Sequence, residues 1–146
     1  MKQEQTFWFV YYKDQVLIEQ KEDSLHIPIG TEPPIKVPVG STIHNIGELQ
    51  GVPCKTYALH TPISGDEAPI RQMVGLRASF DMLPFEEYYQ AGKAFQILNW
   101  DRNTRYCPAC GVPTKQISDI GKKCPECRQE FYPHISPAII VRIQKE

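Results

Sequence analysis

Strand-like runs and polar turns alternate along the first sixty residues. Phe7-Trp8-Phe9-Val10-Tyr11-Tyr12 is aromatic and β-branched, and Lys13-Asp14-Gln15 separates it from Val16-Leu17-Ile18-Glu19. These two runs predict a hairpin, because branched and aromatic side chains pack on a pleated surface and the polar triplet supplies a turn. A stretch with Gly30, Pro33, Pro34 and Pro38 follows, dense enough in ring-locked residues to exclude helix and central strand alike. Thr42 to Gly47 and Val52 to Leu59, joined by Glu48 to Gly51, alternate again and predict a second hairpin with one face buried. Thr61 to Pro69 holds Pro62, Gly65 and Pro69 and reads as an exposed loop.

From Pro84 the period becomes that of a helix. Asp81 precedes as a cap, Pro84 suits the first helical position, and Glu86 and Glu87 occupy the first turn, where the helix dipole favours anions. Tyr88, Ala91, Phe95 and Leu98 form an apolar stripe directed at the sheet, and the helix is expected to end between Asn99 and Arg102. At the far end, Ala138-Ile139-Ile140-Val141-Arg142-Ile143 is almost continuously apolar. Such a strand is buried on both faces of a larger sheet, so the run reads either as the opening of a further domain or as a strand returning to the first sheet. The fold class is α+β: an N-terminal mixed α/β domain followed by a small metal-stabilised module.

That module announces itself in the cysteines. Cys107-Pro108-Ala109-Cys110-Gly111 and Cys124-Pro125-Glu126-Cys127 stand thirteen residues apart. Two residues between each pair let a tight turn aim both sulfurs at one ion, and four thiolates suit tetrahedral zinc. Gly111 fits a turn that needs positive φ, and Asp119-Ile120-Gly121 is a plausible tip for the hairpin between the pairs. With every position filled by thiolate, the metal would be structural and would help to fold a piece too small to fold alone. Two disulfides or a redox pair are the competing readings. The opening residues lack an apolar leader core, so a reducing cytoplasm is the default expectation, and no apolar run is long enough to span a membrane. Cys54, remote from the others, reads as a small buried hydrophobe.

Charge adds one local feature. The 146 residues carry 16 lysines and arginines against 17 acids, which gives no bulk attraction to nucleic acid. Residues 102–128 nevertheless hold six cations against two acids. They can compensate the net negative charge of a four-thiolate zinc centre or touch nucleic acid. His26, His44 and His60 are scattered without metal-binding spacing, and His134 is redundant beside four cysteines.

The order of an α/β domain, a helix ending in Leu98-Asn99-Trp100, the run Arg105-Tyr106-Cys107-Pro108-Ala109-Cys110-Gly111, the pair Cys124 and Cys127, and then Tyr132-Pro133-His134-Ile135-Ser136-Pro137-Ala138-Ile139-Ile140-Val141 resembles the NAD diphosphatase (NADH pyrophosphatase) branch of the Nudix hydrolases. The resemblance is strongest from Leu98 to Val141. It implies a degenerate Nudix-like domain at 1–104, a zinc ribbon at 105–135, and the first strand of a catalytic Nudix domain at 136–146. It assigns zinc to Cys107, Cys110, Cys124 and Cys127, and a base-lining role to Tyr132 and Ile140. Residue chemistry leaves Tyr132 equally able to pack on the ribbon, and Ile140 to be ordinary strand core.

Family members use magnesium or manganese to split NADH or NAD into nicotinamide mononucleotide and AMP, and some remove NAD caps from RNA. The resemblance implies a homodimer. The glutamate-rich box that converges carboxylates on a divalent ion is not found in this sequence. Glu86-Glu87 is the one adjacent acidic pair in a helical setting, and a surface helix start accounts for it. The chain is therefore expected to be the inactive, structural part of such an enzyme. The alternative is an autonomous zinc-ribbon module that binds nucleic acid or a protein.

Overall fold

The computed structural model describes residues 4–63, 70–134 and 136–145. Most of the loop expected at Thr61 to Pro69 lies outside the described residues, as do Ile135 and Glu146. The fold is α+β, one mixed sheet with a single long helix, followed by a three-stranded ribbon.

Both expected hairpins form. Strand β1 (Thr6–Tyr12) turns through Lys13 and Asp14 into β2 (Gln15–Lys21), with Tyr12 opposite Gln15. After β3 (Ser24–His26) and β4 (Ile29–Gly30), β5 (His44–Leu49) pairs antiparallel with β6 (Val52–Ala58). β6 then lies parallel to β1, from Phe7 opposite Cys54 to Tyr11 opposite Ala58. A strand that periodicity did not signal, β7 (Arg71–Gly75), covers the outer edge of β2.

Glu19 pairs with both His26 and Arg71, and Phe7 with both Ile29 and Cys54. A residue bonded on both sides places its two partners on opposite edges of its strand. β1 and β2 therefore splay apart beyond their turn, and the β3–β4 segment fills the wedge between them. Central β1 is consequently buried on both faces, which explains why Trp8-Phe9-Val10-Tyr11 is continuously apolar.

The two faces form two cores. Phe9, Tyr11, Val16 and Ile18 pack against α1 (Phe85–Asn103), whose small Ala91 and Ala94 permit close approach. Trp8, Val10, Leu17, Tyr57 and Leu59 face the other way, with Ile35 and Val37 of the proline-rich segment packed over them. That segment is pinned as well as packed. The Tyr57 hydroxyl donates to the Ile35 carbonyl, and Arg71 Nη1 donates to the Pro34 carbonyl at 3.0 Å. Prolines reduce the entropy lost when such an irregular cover is ordered.

The helix differs from expectation in three details. Pro84 is the N-cap and not the first helical residue, and no side chain caps the helix start. Asp81 instead ends a short 3-10 turn, Ala78–Asp81. The buried face is Glu87, Gln90, Ala91, Ala94, Ile97 and Trp100, with Tyr88, Phe95 and Leu98 only partly buried at its flank. Two polar residues enter the core because each finds a partner there. Glu87 Oε2 accepts the Ile27 backbone N–H at 2.8 Å, while Oε1 lies 2.9 Å from His26 Nδ1. Gln90 Nε2 donates to the Ile46 carbonyl at 2.7 Å. Glu87 is thus a buried clamp between helix and wedge, and only Glu86 behaves as an exposed helix-start acid.

The terminal run is unpaired among the described residues. Residues 136–145 make no ladder with either sheet, and Ile139, Val141 and Ile143 are exposed while Ile140 is completely so. Of the two readings, a return to the first sheet is not what forms: a strand needs partners on its edges, and none of the described residues supplies one.

Replacing Glu87 with Ala leaves the Ile27 N–H buried without an acceptor. The expected loss is about 2 kcal/mol, read as a lower urea midpoint with unchanged slope, whereas Glu86→Ala shifts the midpoint little.

Candidate metal centre

Two tight turns of the same design build the site. Cys107 N–H donates to the Val112 carbonyl at 2.9 Å, and Gly111 N–H donates back to the Cys107 carbonyl at 2.8 Å. The second turn repeats both bonds with Cys124 and Gln129 at 2.9 Å and Arg128 and Cys124 at 3.0 Å. The residue after each second cysteine must be left-handed to close this pattern, and Gly111 (φ 73°) and Arg128 (φ 63°) are. Glycine meets that demand without strain; arginine meets it at a cost of about 1 kcal/mol.

Between the turns run β8 (Lys115–Ser118) and β9 (Gly121–Lys123), and β10 (Glu130–Phe131) adds the third strand. The tip is Asp119-Ile120, with Gly121 already in β9. Glycine is needed there for space: a Cβ on Gly121 would stand 2.8 Å from Ser118 Oγ and 3.0 Å from the Tyr132 ring.

The four sulfurs converge within 4.8 Å of one another. Cys107 and Cys127 are 3.5 Å apart and Cys110 and Cys124 3.4 Å apart, all of them free thiols. A zinc–sulfur bond of about 2.3 Å implies tetrahedral sulfur separations of about 3.8 Å, so the cage has the size that zinc requires. Its electrostatics ask for a cation. Backbone N–H groups of Cys127 and Glu126 pull the Cys124 thiol down to about 6. The Val112 N–H acts the same way on Cys110, but the Cys124 sulfur, burial and the Cys107 and Cys127 sulfurs together outweigh it and push Cys110 up to about 12. Four thiolates at this spacing need a divalent ion among them. Remote Cys54 is buried, with burial raising its thiol to about 11, as a packing residue should be.

The cage is fastened to the first sheet by a cluster that no motif signalled. Lys122 of β9 is almost wholly buried, its Nζ 2.6 Å from Asp101 Oδ1, 3.0 Å from the Asp101 carbonyl and 5.2 Å from the centre of the Trp100 ring. The other Asp101 oxygen lies 3.4 Å from Nε2 of buried His44 on β5. Burial acts to raise the Asp101 carboxyl, yet His44 and Lys122 together hold it down at about 2. One of the six cations noted in residues 102–128 is therefore spent on the joint between helix and ribbon. At the ribbon tip, Asn45 Nδ2 donates to Asp119 Oδ1 at 3.4 Å.

Tyr132 is half exposed, with its ring against Gly121 and its hydroxyl donating to Glu130 Oε2 at 2.8 Å. It packs on the ribbon. Ile140 is fully exposed, so it is not core in this chain, and nothing among the described residues unites it with Tyr132 in a pocket. His26 and His44 are carboxylate partners, and neither joins the cysteine cluster. No described helix is long and apolar enough to cross a membrane.

A sheet backed by one helix that leads into a four-cysteine ribbon defines a class. Residues 5–100 match the NADH pyrophosphatase-like rudimentary Nudix domain, and residues 102–132 match the NADH pyrophosphatase zinc ribbon domain. The chain belongs to the NADH pyrophosphatase-like Nudix family. Among its curated relatives, the NAD-capped RNA hydrolase NudC of Deinococcus radiodurans is 36% identical over 107 residues, covering 73% of this chain and 37% of the relative. The protein of the same name from Pseudomonas putida is 35% identical over 103 residues, 70% of this chain and 36% of its own. That of Salmonella typhimurium is 28% identical over 146 residues, 99% of this chain and 51% of its own. The chain thus spans between about a third and a half of the relatives it matches.

The joint generates a pH-dependent prediction. Asp101 has a folded pKa of about 2 against an ordinary value of 3.8, so its stabilisation is complete above about pH 4 and is lost as pH falls towards 2. Asp101→Asn is expected to cost about 2 kcal/mol in urea unfolding at pH 7, with the gap from wild type shrinking below about pH 4. A gap that is constant across pH would show that the carboxylate charge does not hold the joint.

Proposed function

We propose that this chain is the non-catalytic N-terminal and zinc-ribbon part of a Nudix NAD(H) pyrophosphatase. The parent enzyme hydrolyses NADH or NAD to nicotinamide mononucleotide and AMP; the name NAD-capped RNA hydrolase, carried by the relatives, supports NAD-capped RNA as a further substrate. The observation that carries this reading is the succession of a rudimentary Nudix domain, a locked four-cysteine ribbon, and an apolar run with its side chains unburied. Residues 1–104 form the Nudix-like domain, 105–135 the ribbon, and 136–146 the first strand of the catalytic domain. A catalytic sheet beyond this run would bury Ile139, Ile140, Val141 and Ile143 and supply the missing ladder.

Cys107, Cys110, Cys124 and Cys127 hold a structural zinc with no open position for chemistry. Magnesium or manganese belongs to the catalytic part. Tyr132 offers a partly exposed aromatic face beside the start of that strand, and with Ile140 it lines the base of the dinucleotide once the strand is in place. The parent enzyme is read as a cytoplasmic homodimer.

Metal analysis of the purified chain is expected to give one zinc per chain. Cys107→Ser or Cys124→Ser should abolish stoichiometric binding and unfold the ribbon in amide spectra, while the first sheet persists. Metal-free protein with two disulfides would overturn the zinc assignment. For activity, the chain alone with magnesium and NADH is expected to release no AMP, whereas the product of the complete gene should do so. AMP release by the chain alone would overturn the non-catalytic reading.

A further inference from the structure

On the far side of the Asp101 joint, a cleft of about 320 Å³ opens between the β1–β2 turn, the segment at Gly40 to Thr42, the end of β6 and the last turn of α1. Its size is within the range of small-molecule sites. Three unlike parts of the chain bring cations to it: Lys13 from the hairpin turn, Arg102 from the helix end, and Arg105 from the link to the ribbon. Among the described residues, none of the three is paired with a carboxylate within 4.0 Å. Asp101 also lines the cleft; Lys122 takes one of its oxygens at 2.6 Å, and the other lies 3.4 Å from His44 Nε2. The negative end of the helix dipole points the same way and works against an anion, with about half an elementary charge against three cations.

Two of these exposed cations have a neighbour that orients them. Arg102 Nη2 donates to Asn99 Oδ1 at 2.8 Å, one helical turn back. Lys13 sits in a left-handed turn residue with Nζ 5.3 Å above the Tyr12 ring. His60 is positioned by Ser41, whose Oγ lies 3.2 Å from its Nε2 and donates to the Ala58 carbonyl at 2.8 Å. Three cations lining one cleft, none of them ion-paired, favour an anion there. Beside them the cleft is lined by apolar residues from both cores, Tyr12 and Leu59 from one and Phe95 and Leu98 from the other.

Guanidinium groups recognise phosphate in a bidentate manner, and aromatic rings accept a flat base by stacking. We propose that this cleft is an accessory nucleotide-binding site, in which Arg102, Arg105 and Lys13 hold a phosphate and Tyr12 with Phe95 contacts the base. The occupant is a free nucleoside monophosphate or the terminal nucleotide of a strand. The site is separate from the Tyr132 and Ile140 positions and stands on the cleft alone, whatever the fate of the pyrophosphatase reading.

The test is a titration of the zinc-loaded, isotopically labelled chain, followed by backbone amide shifts. AMP is expected to saturate with shifts confined to residues 12–14, 40–42, 58–60 and 98–105. Adenosine and inorganic phosphate, each carrying half of the recognition, should bind at least about tenfold more weakly than AMP. The exposed double variant R102Q/R105Q should keep the wild-type spectrum elsewhere and lose about tenfold or more in AMP affinity, and Lys13→Gln should lose less. A 5′-phosphorylated tetra-adenylate that binds more tightly than AMP, through the same residues, identifies a strand as the source; equal affinity identifies the free nucleotide. Two results overturn the proposal: no saturable shift with either probe to about 10 mM, or binding unchanged in the folded double variant.

Discussion

Lys122 reaching Asp101 beneath the Trp100 ring is the contact on which the arrangement of this protein depends. A ribbon this small has almost no core of its own, and its sulfur cage fixes only its internal shape. What orients it is one buried cation from β9 inserted at the end of α1, met by a carboxylate that His44 also approaches. Two charges removed from water are costly unless their geometry is good, and an unpaired one costs more than the pair contributes. The joint therefore penalises misplacement of the ribbon strongly, even where its net contribution to stability is small. The Asn45 to Asp119 contact is longer and exposed, and adds direction more than strength.

That joint can be rigid only because the helix beneath it is. Glu87 ties the helix start to the β3–β4 wedge, Gln90 ties the next turn to β5, and the Tyr11 hydroxyl donates to the Ala91 carbonyl at 2.6 Å from the central strand. Three polar clamps along one buried face set the axial position of α1 on the sheet. Apolar packing by two alanines would tolerate sliding, since burial is non-directional. Hydrogen bonds to buried groups are not tolerant in this way. The end of the helix, and with it Asp101, Arg102 and the link to Cys107, is placed by contacts made at its other end.

The hairpins, the long helix and the sulfur cage were legible in the sequence because each is written locally. Alternating branched residues specify a strand face, and two cysteines with two residues between them specify a metal turn. β7 was not legible, since Arg71 to Gly75 has little apolar content and is a strand only by virtue of pairing along β2 from Gln15 to Glu19. The buried face of α1 was misplaced for a related reason. Glu87 and Gln90 look like solvent residues until Ile27 and Ile46 are brought to them. The terminal run shows the opposite case, a local strand signal that the described residues leave unpaired.

What the sequence by itself determined is the set of elements and the chemistry of the four cysteines, since backbone periodicity and ligand spacing act over a few neighbouring residues. Tertiary structure alone decided that Lys122 would be a buried joint and that Lys13, Arg102 and Arg105 would share a cleft. It also decided that a proline-rich loop would cover a second core. Each of these brings together residues twenty or more positions apart, and no local preference of a lysine, an arginine or a proline encodes the partner it will meet.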